Sequence, residues 1–212
     1  MPGVLGYHLI LTNYGFWLPN DPRGSWSDFV RAFELYAAAG PATKVSSNTR
    51  RSVADERHNH AARQNAKSKL ARPPVIWTGR QARAVAQGFA DYATKNHRPV
   101  HALAVMPDHA HLVVGRTHTP IETQANHFKS CATTFLNHQN LHPFSGRTEG
   151  ALSSPRQTKR LPTPWARHQW AVYLNTPHAI QRAIQYVNQN PSKAGHKPQT
   201  YPWLTPYPPP PV

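Results

Sequence analysis

Two apolar runs separated by a very short connection constrain the fold of this chain more than any other feature. Pro99–Met106 and His109–Gly115 are both rich in β-branched and other apolar residues, and only Pro107 and Asp108 lie between them. Parallel pairing needs a crossover of a dozen or more residues, so strands joined this closely pair in the antiparallel direction. The sequence therefore predicts a β-hairpin and, with it, a sheet.

The other regular elements follow from periodicity and from helix-start residues. Two further strands are predicted at Tyr7–Thr12 and Gln169–Leu174, which are rich in β-branched and aromatic residues. Helices are predicted over Gly79–Asn96, over Pro120–Asn140 and from Thr176-Pro177 to Asn190, with Pro191 as the stop. The order strand, helix, strand, strand, helix, strand, helix predicts an α+β fold. Its form is a split βαβ antiparallel sheet with helices on one face and one further helix added.

The length of 212 residues calls for one domain, with two interruptions. A polar, basic insertion is predicted at about 37–74, and a loop interrupted by Gly and Pro at about 142–164. The segment Trp17–Trp26 combines turn formers with two indoles and is predicted to be a surface loop. The domain is expected to span 1–198, followed by an extended, peripheral, proline-rich tail over 199–212.

The charge of the chain points to a polyanionic partner. Lys and Arg number 24 against nine Asp and Glu, a formal net charge of +15. Such a surface repels itself unless a polyanion neutralises it, which favours nucleic acid. No run of 18 apolar residues and no basic, apolar leader is present, so neither a membrane partner nor secretion is expected. The single cysteine, Cys131, indicates a reducing cytoplasm.

Two histidines interrupt the apolar second strand of the hairpin. His109 and His111 stand two apart, so both imidazoles leave the same face of the sheet and can bind one metal ion together. Among 14 histidines in 212 residues, chance gives about one such pair, and His58 and His60 form another in the polar insertion. That pair is interpreted as solvated. Two polar rings in an apolar strand need a partner or a function, which favours His109 and His111 as metal ligands.

The last predicted helix places a tyrosine and an amide on one flank. Its apolar stripe, which faces the sheet, consists of Ile180, Ala183, Ile184 and Val187. At about 100° per residue, Tyr186 lies roughly 120° from the centre of that stripe, and Asn190 lies within about 40° of Tyr186. A tyrosine in this position is ordinarily a boundary residue. The nearby amide and the His-Ala-His strand favour catalysis instead.

Phosphodiester cleavage explains why these residue types belong together. A divalent ion with open coordination positions polarises the phosphate while a nucleophile displaces one sugar oxygen in line. Two imidazoles and one amide oxygen leave such positions open, and this ligand set suits Mg²⁺ or Mn²⁺ better than a structural zinc, which normally has four protein ligands. A phenol needs help to lose its proton, and the sequence does not identify the base.

Three segments of this chain resemble a known family. Met106–Val114 resembles the HUH strand of the single-strand transposases, and Tyr186–Gly195 resembles the helix end of the REP-associated tyrosine transposases (RAYT proteins). Trp17–Ser25, of the form Trp-Leu-x-x-Asp-Pro-Arg-Gly-Ser, is similar to a segment of one subgroup of that family. The resemblance covers nearly the whole chain apart from the insertion and the tail.

The resemblance implies a ferredoxin-like HUH nuclease fold with an added C-terminal catalytic helix. It implies that Tyr186 is the nucleophile and that His109, His111 and Asn190 bind a divalent metal, Mg or Mn. Related insertion-sequence enzymes have glutamine at this turn of the helix, so Gln189 stays open as the third ligand. The implied transposase cleaves and rejoins single-stranded DNA near hairpins, often repeated extragenic palindromes, through a 5′-phosphotyrosine intermediate. No nucleotide cofactor is needed, because the phosphotyrosine bond conserves the energy of the broken bond.

Several alternatives stay open. The protein is expected to be a monomer or a homodimer. It is alternatively a catalytically inactive protein that binds single-stranded nucleic acid, or a metal-dependent phosphodiesterase that uses water. Candidate contacts to the DNA backbone are Arg23, Lys129, Arg156, Lys159, Arg160, Arg167 and the basic residues of the insertion, and candidates for base stacking are Trp17, Trp26 and Trp165. For each of these, a solvated or core role is an equal alternative.

Overall fold

A computed structural model of the chain describes residues 3–25, 27–45, 57–145 and 161–208. The chain forms two compact units, one built from Met1–Asn13 and Ile76–Val212 and the other from Tyr14–Val75. The predicted insertion at 37–74 lies inside the second unit, which begins earlier, at Tyr14. Of the predicted loop at 142–164, residues 146–160 lie outside the described residues.

The fold is α+β. In chain order its elements are β1 (Gly6–Thr12), α1 (Phe33–Ala39), α2 (His60–Ser68), α3 (Gly79–Lys95), β2 (Val100–Val105), β3 (His109–Gly115), α4 (Ile121–His138), β4 (Trp170–Leu174) and α5 (Pro177–Lys193). Within the described ranges, the strands form one four-stranded antiparallel sheet in the order β2-β3-β1-β4. The predicted hairpin is confirmed, since β2 and β3 pair in the antiparallel direction. No described helix is long and apolar enough to cross a lipid bilayer.

Helices α3 and α4 pack together and against one face of the sheet, which carries the buried Leu9, Leu103 and Leu112. The predicted apolar face of α3 is confirmed, since Val85, Phe89 and Tyr92 are all buried. The two helices approach unusually closely at Gly88, where an added Cβ would lie 2.5 Å from the Cα of Ala132. Glycine lowers helix propensity, and this close approach explains its presence in mid-helix.

Helix α5 covers part of the other face. The hydroxyl of Thr176 caps the helix by accepting from the backbone N–H of Ala179, as the sequence predicted. Ile180, Ala183 and Val187 pack into a cluster with residues of β2, β3 and β4. The prediction that Pro191 stops the helix is wrong, because α5 continues to Lys193. A proline there removes one hydrogen-bond donor to the preceding turn, and the final turn tolerates that loss.

The described part of the C-terminal tail lies along β2, an edge strand of the sheet. The side-chain amide of Gln199 accepts from the backbone N–H of Val105 at 2.8 Å and donates to its carbonyl at 2.9 Å. Further along, the backbone N–H of Thr205 donates to the carbonyl of Val100. An exposed strand edge invites pairing with other chains, and these contacts occupy part of that edge. The tail is therefore fastened to the sheet rather than merely peripheral.

In the second unit, Trp17–Ser25 forms no regular element, as predicted, but it is not a surface loop. Asp21 is 1% exposed, and its carboxylate accepts two hydrogen bonds of 2.8 Å from the Arg23 guanidinium. That guanidinium lies 4.1 Å from the centre of the Trp17 ring. Although burial alone raises the pKa of Asp21, the hydrogen bonds and charge of Arg23 outweigh it and hold the pKa below its usual value.

The polar residues next to this ion pair bond to neighbouring backbone. The amide of Asn20 donates to the carbonyls of Leu35 and Gly40, which lie in and just after α1. The hydroxyl of Thr43 donates to the carbonyl of Asp21, and the hydroxyl of Ser25 donates to that of Pro19. The segment is thus a polar core that joins the parts of its own unit.

Candidate functional site

The predicted histidine pair lies on the face of the sheet where α5 packs. His111 pairs with Ile10 of β1 and with Ala104 of β2, and Ala104 belongs to the cluster that contains the apolar stripe of α5. His109 stands two residues earlier, opposite Thr12. Both imidazoles leave this face, as their spacing predicted. His111 is 5% exposed, while His109 is half-buried.

The imidazoles belong to a connected row of polar groups. The Nε2 atoms of His109 and His111 lie 2.9 Å apart, and Nδ1 of His109 lies 2.7 Å from the Asp108 carboxylate. On the other side, Nδ1 of His111 lies 2.9 Å from Nε2 of His8 in β1. We call these four residues, Asp108, His109, His111 and His8, the histidine row. Asp108 contacts Nδ1 of His109 at one end of the row, and His8 contacts Nδ1 of His111 at the other. Between them, the Nε2 atoms of His109 and His111 lie next to each other.

Tyr186 lies beside the histidine row. Its ring centre is 5.7 Å from that of His111 and 5.6 Å from that of His8, with edge-to-face geometry in both cases. The side chain is 46% exposed, so the phenol is open to solvent on one side. The flank position predicted from helical spacing thus places the phenol next to the imidazoles. Lys193, two turns further along α5, has its ammonium 6.0 Å from the centre of the same ring.

Asn190 lies one turn after Tyr186 and is half-buried, whereas Gln189 is exposed. At about 100° per residue, Asn190 is turned from Tyr186 toward the apolar stripe and Gln189 away from it. The Nδ2 atom of Asn190 is buried and has no hydrogen-bond partner among the described residues. Half a turn of the amide exchanges Nδ2 for the oxygen, which is a metal ligand. Burial and orientation therefore favour Asn190 over Gln189 as the third ligand.

The electrostatics of the site keep two of its imidazoles neutral. Burial, followed by the charges of His109 and His8, lowers the pKa of His111 to about 2. Burial, followed by the charge of His109, lowers the pKa of His8 to about 4. A neutral imidazole has a free lone pair, which is the form that binds metal ions. Both rings are therefore ready for coordination or hydrogen bonding at neutral pH.

The arrangement of the two Nε2 atoms fits a divalent ion. With metal–nitrogen bonds of about 2.1 Å, ligands at a right angle stand about 3.0 Å apart, and tetrahedral ligands about 3.4 Å apart. The observed separation of 2.9 Å, at which one ring can donate a hydrogen bond to the other, is also close to the octahedral case, which Mg²⁺ requires. Across the part of the chain that the structure describes, no cluster of three or more His, Cys, Asp or Glu side chains is arranged to hold a metal.

His8 is the site residue that the sequence did not reveal. It lies in β1, which was predicted as a strand but not as a source of functional side chains. The available signal was alternation, since His8, Ile10 and Thr12 occupy the less buried face of that strand. Only the register between β1 and β3 shows that this face is shared with His109 and His111.

The candidate DNA contacts divide into several groups. Lys129 is 7% exposed and donates to the carbonyls of Ala166 and His168, and Trp165 is 1% exposed with its indole N–H bonded to the carbonyl of Lys129. These two are core residues, so the suggestions of phosphate contact and base stacking are wrong for them. Arg167 is exposed and stays a candidate. Trp26, Arg156, Lys159 and Arg160 lie outside the described residues.

The second His-x-His pair is different from the first. His60 is exposed at the start of α2, and Nε2 of His58 lies 3.0 Å from the guanidinium of Arg63.

Neither the family models nor the curated proteins compared with this sequence gave a match.

Proposed function

We propose that this protein is a transposase of the HUH type that cleaves and rejoins single-stranded DNA through a phosphotyrosine at Tyr186. The observation that carries the proposal is the packing of the phenol, half-exposed on α5, against the buried imidazole of His111, whose Nε2 faces that of His109. The phenol and the two imidazoles lie on one face of the sheet, and the helix that carries the phenol also carries an amide with an unpaired buried atom, which supports these roles.

The fold supports this assignment. Leaving aside α1 and α2, the element order up to β4 is strand, helix, strand, strand, helix, strand, and the sheet order is β2-β3-β1-β4. This order supports the proposal of a split βαβ, ferredoxin-like fold, with α5 added after the last strand. The resemblance of Met106–Val114 and Tyr186–Gly195 to HUH transposases agrees with it. The net charge of +15 suits a nucleic-acid substrate.

The reaction balances with these groups. The Tyr186 oxygen attacks a DNA phosphorus, the bond from phosphorus to the 3′ oxygen breaks, and the 5′-phosphate becomes esterified to the phenol. The phenolic proton leaves and the departing 3′ oxygen takes one up, so no nucleotide cofactor is consumed. A bound Mg²⁺ or Mn²⁺ would polarise the phosphate. His109, His111 and the Asn190 amide would hold that ion, and the half-exposed position of Tyr186 admits the strand.

The remaining attributes belong to the same proposal. The substrate is single-stranded DNA next to a hairpin, and the exposed Arg167 is a candidate for its phosphates. The free thiol of Cys131 in α4 keeps the cytoplasm as the proposed location.

The proposal is tested by incubating the protein with labelled single-stranded hairpin oligonucleotides and Mn²⁺, followed by denaturing gel electrophoresis. The expected result is a shortened upstream strand with a free 3′-hydroxyl and a downstream fragment that stays on the protein through its 5′-phosphate. Tyr186→Phe should abolish the adduct. The double variant His58→Ala/His60→Ala is the matched control and should form the adduct at the native rate.

Two outcomes contradict the proposal. If cleavage forms no adduct and persists in Tyr186→Phe, the protein is a phosphodiesterase that uses water. Binding of the oligonucleotide without cleavage, over a panel of hairpins and with either metal, would identify a binding protein.

A further inference from the structure

His8 occupies a position in the site that the proposed reaction does not use. Its Nε2 lies 2.9 Å from Nδ1 of His111, and its ring packs edge to face against Tyr186. Because β1 pairs Ile10 with His111, His8 is the diagonal neighbour of His111 on the same face of the sheet. Diagonal neighbours are within reach of long or aromatic side chains. The contact therefore joins the central strand β1 directly to a predicted metal ligand.

The hydrogens of the histidine row explain why this contact matters. A neutral imidazole carries one hydrogen on one of its two nitrogens. Nδ1 of His109 faces the Asp108 carboxylate, which accepts, so that nitrogen holds the hydrogen and His109 Nε2 has a free lone pair. For His111 Nε2 to bind the same ion, the hydrogen of His111 must lie on Nδ1. That nitrogen faces His8.

We infer that His8 is a positioning residue, whose Nε2 accepts the Nδ1–H of His111 and so directs Nε2 of His111 at an ion shared with His109. The hydrogen of His8 then lies on its own Nδ1. An acceptor behind a metal-bound imidazole fixes the tautomer and the ring orientation and makes the ligand more basic. Asp108 has the same relation to His109. The inference rests on the divalent ion of the proposed function.

The test measures Mn²⁺ affinity of the full-length protein by the loss of the electron paramagnetic resonance signal of free Mn²⁺. His8→Leu leaves Nδ1 of His111 without an acceptor, and we expect about a 10- to 100-fold weaker affinity. In His8→Gln the amide oxygen accepts near the position of Nε2, and we expect an affinity within about threefold of native. His101→Leu is the matched control, because His101 lies on β2 and bonds to the carbonyl of Thr205, away from the site.

A native affinity in His8→Leu would overturn the inference. An equal loss in His8→Leu and His8→Gln would also overturn it, because it would show that the size of the ring matters and the hydrogen bond does not. Nitrogen-15 NMR of the native protein gives a readout that needs no variant. With saturating Mg²⁺, the hydrogen of His111 should lie on Nδ1, and a hydrogen on Nε2 would contradict the assignment.

Failure of this inference and failure of the proposed function give different results. If Mn²⁺ binding requires His109 and His111 but no DNA adduct forms, the proposed function fails. The Mn²⁺ affinities of the His8 variants still decide the role of His8. If the adduct forms and His8→Leu binds Mn²⁺ like the native protein, the role of His8 fails and the proposed function stands.

Discussion

The histidine row and the Trp17–Ser25 segment both place polar side chains where apolar residues are usual. They differ in the partners to which those side chains are hydrogen-bonded. In Trp17–Ser25, Asp21 and Arg23 bond to each other in two places, and the neighbouring side chains donate to backbone carbonyls of their own unit. In the histidine row, the middle consists of two adjacent Nε2 atoms beside an open phenol.

This difference separates a polar core from a candidate binding site. Buried polar groups that satisfy one another fix a conformation and leave little for a ligand to gain. Two imidazole nitrogens that can turn their lone pairs toward a shared ion, beside a half-exposed phenol, have bonding capacity left for an ion or a substrate. Both segments stood out in the sequence, and only their partners show that they have different roles.

The largest expected effect comes from removing a predicted ligand. His109→Ala should slow formation of the DNA adduct by at least about 100-fold, because the ion loses one imidazole. The free energy of unfolding without metal should change by less than about 1 kcal/mol, because the side chain is only half-buried. Single-turnover gel assays and urea titration measure the two quantities. A loss of several kcal/mol in the free energy of unfolding would show that the histidine row stabilises the fold, as the Trp17–Ser25 segment does.

Asp21→Ala should show the reverse pattern. It leaves the Arg23 guanidinium without its buried partner and should destabilise the Tyr14–Val75 unit by about 3 kcal/mol. Hydrogen exchange of amides in residues 14–45 measures this loss, and Mn²⁺ affinity should be unchanged. Asp28→Ala is the control, since the Asp28–Lys44 ion pair is exposed and should contribute less than about 1 kcal/mol. Equal effects of the two substitutions would contradict the buried-pair argument.

The two regions should also lose stability at different pH values. The pKa of His111 is lowered from 6.5 to about 2, so as the pH falls below 6.5 the unfolded chain takes up a proton that the folded chain does not. Stability of the metal-free sheet unit should therefore fall below pH 6.5, by at most about 1.4 kcal/mol per pH unit for this residue. The pKa of Asp21 is also lowered, so its contribution is present above 3.8 and is lost only below that value.

Hydrogen exchange measured from pH 6.5 to 4.5 distinguishes the pH range in which His111 lowers stability from the lower range in which Asp21 does. Amides of β1 and β3 should lose protection relative to amides in residues 14–45. His111→Leu should reduce the pH dependence of protection in the sheet, and His8, whose pKa is also lowered, should account for what is left. Parallel loss in both regions would show that the histidines do not cause it.

The smallest expected effect concerns Arg23. Arg23→Lys loses the two-point bond to Asp21 and the flat contact with the Trp17 ring, and should destabilise its unit by about 1 kcal/mol. Affinity for single-stranded DNA, measured by fluorescence anisotropy at fixed salt, should stay the same because the guanidinium is already hydrogen-bonded to Asp21. A clear loss of affinity would show that Arg23 contacts phosphate.

The sequence by itself determined the features that depend on local spacing. Antiparallel pairing followed from the two residues between the strands, and the shared direction of His109 and His111 followed from the two-residue period of a strand. The flank position of Tyr186 followed from the 3.6-residue period of a helix. The same logic failed at Pro191, because a proline in the last turn removes a hydrogen bond that a long, well-packed helix tolerates losing.

Only the tertiary structure decided which distant residues meet. His8 joins the site because the register of β1 against β3 makes it the diagonal neighbour of His111. Lys129 and Trp165 pass from candidate DNA contacts to core residues because α4 and the segment before β4 enclose them together. Spacing fixes the direction of a side chain from its own element, whereas burial and partnership depend on how elements pack, which the order of residues along the chain does not state.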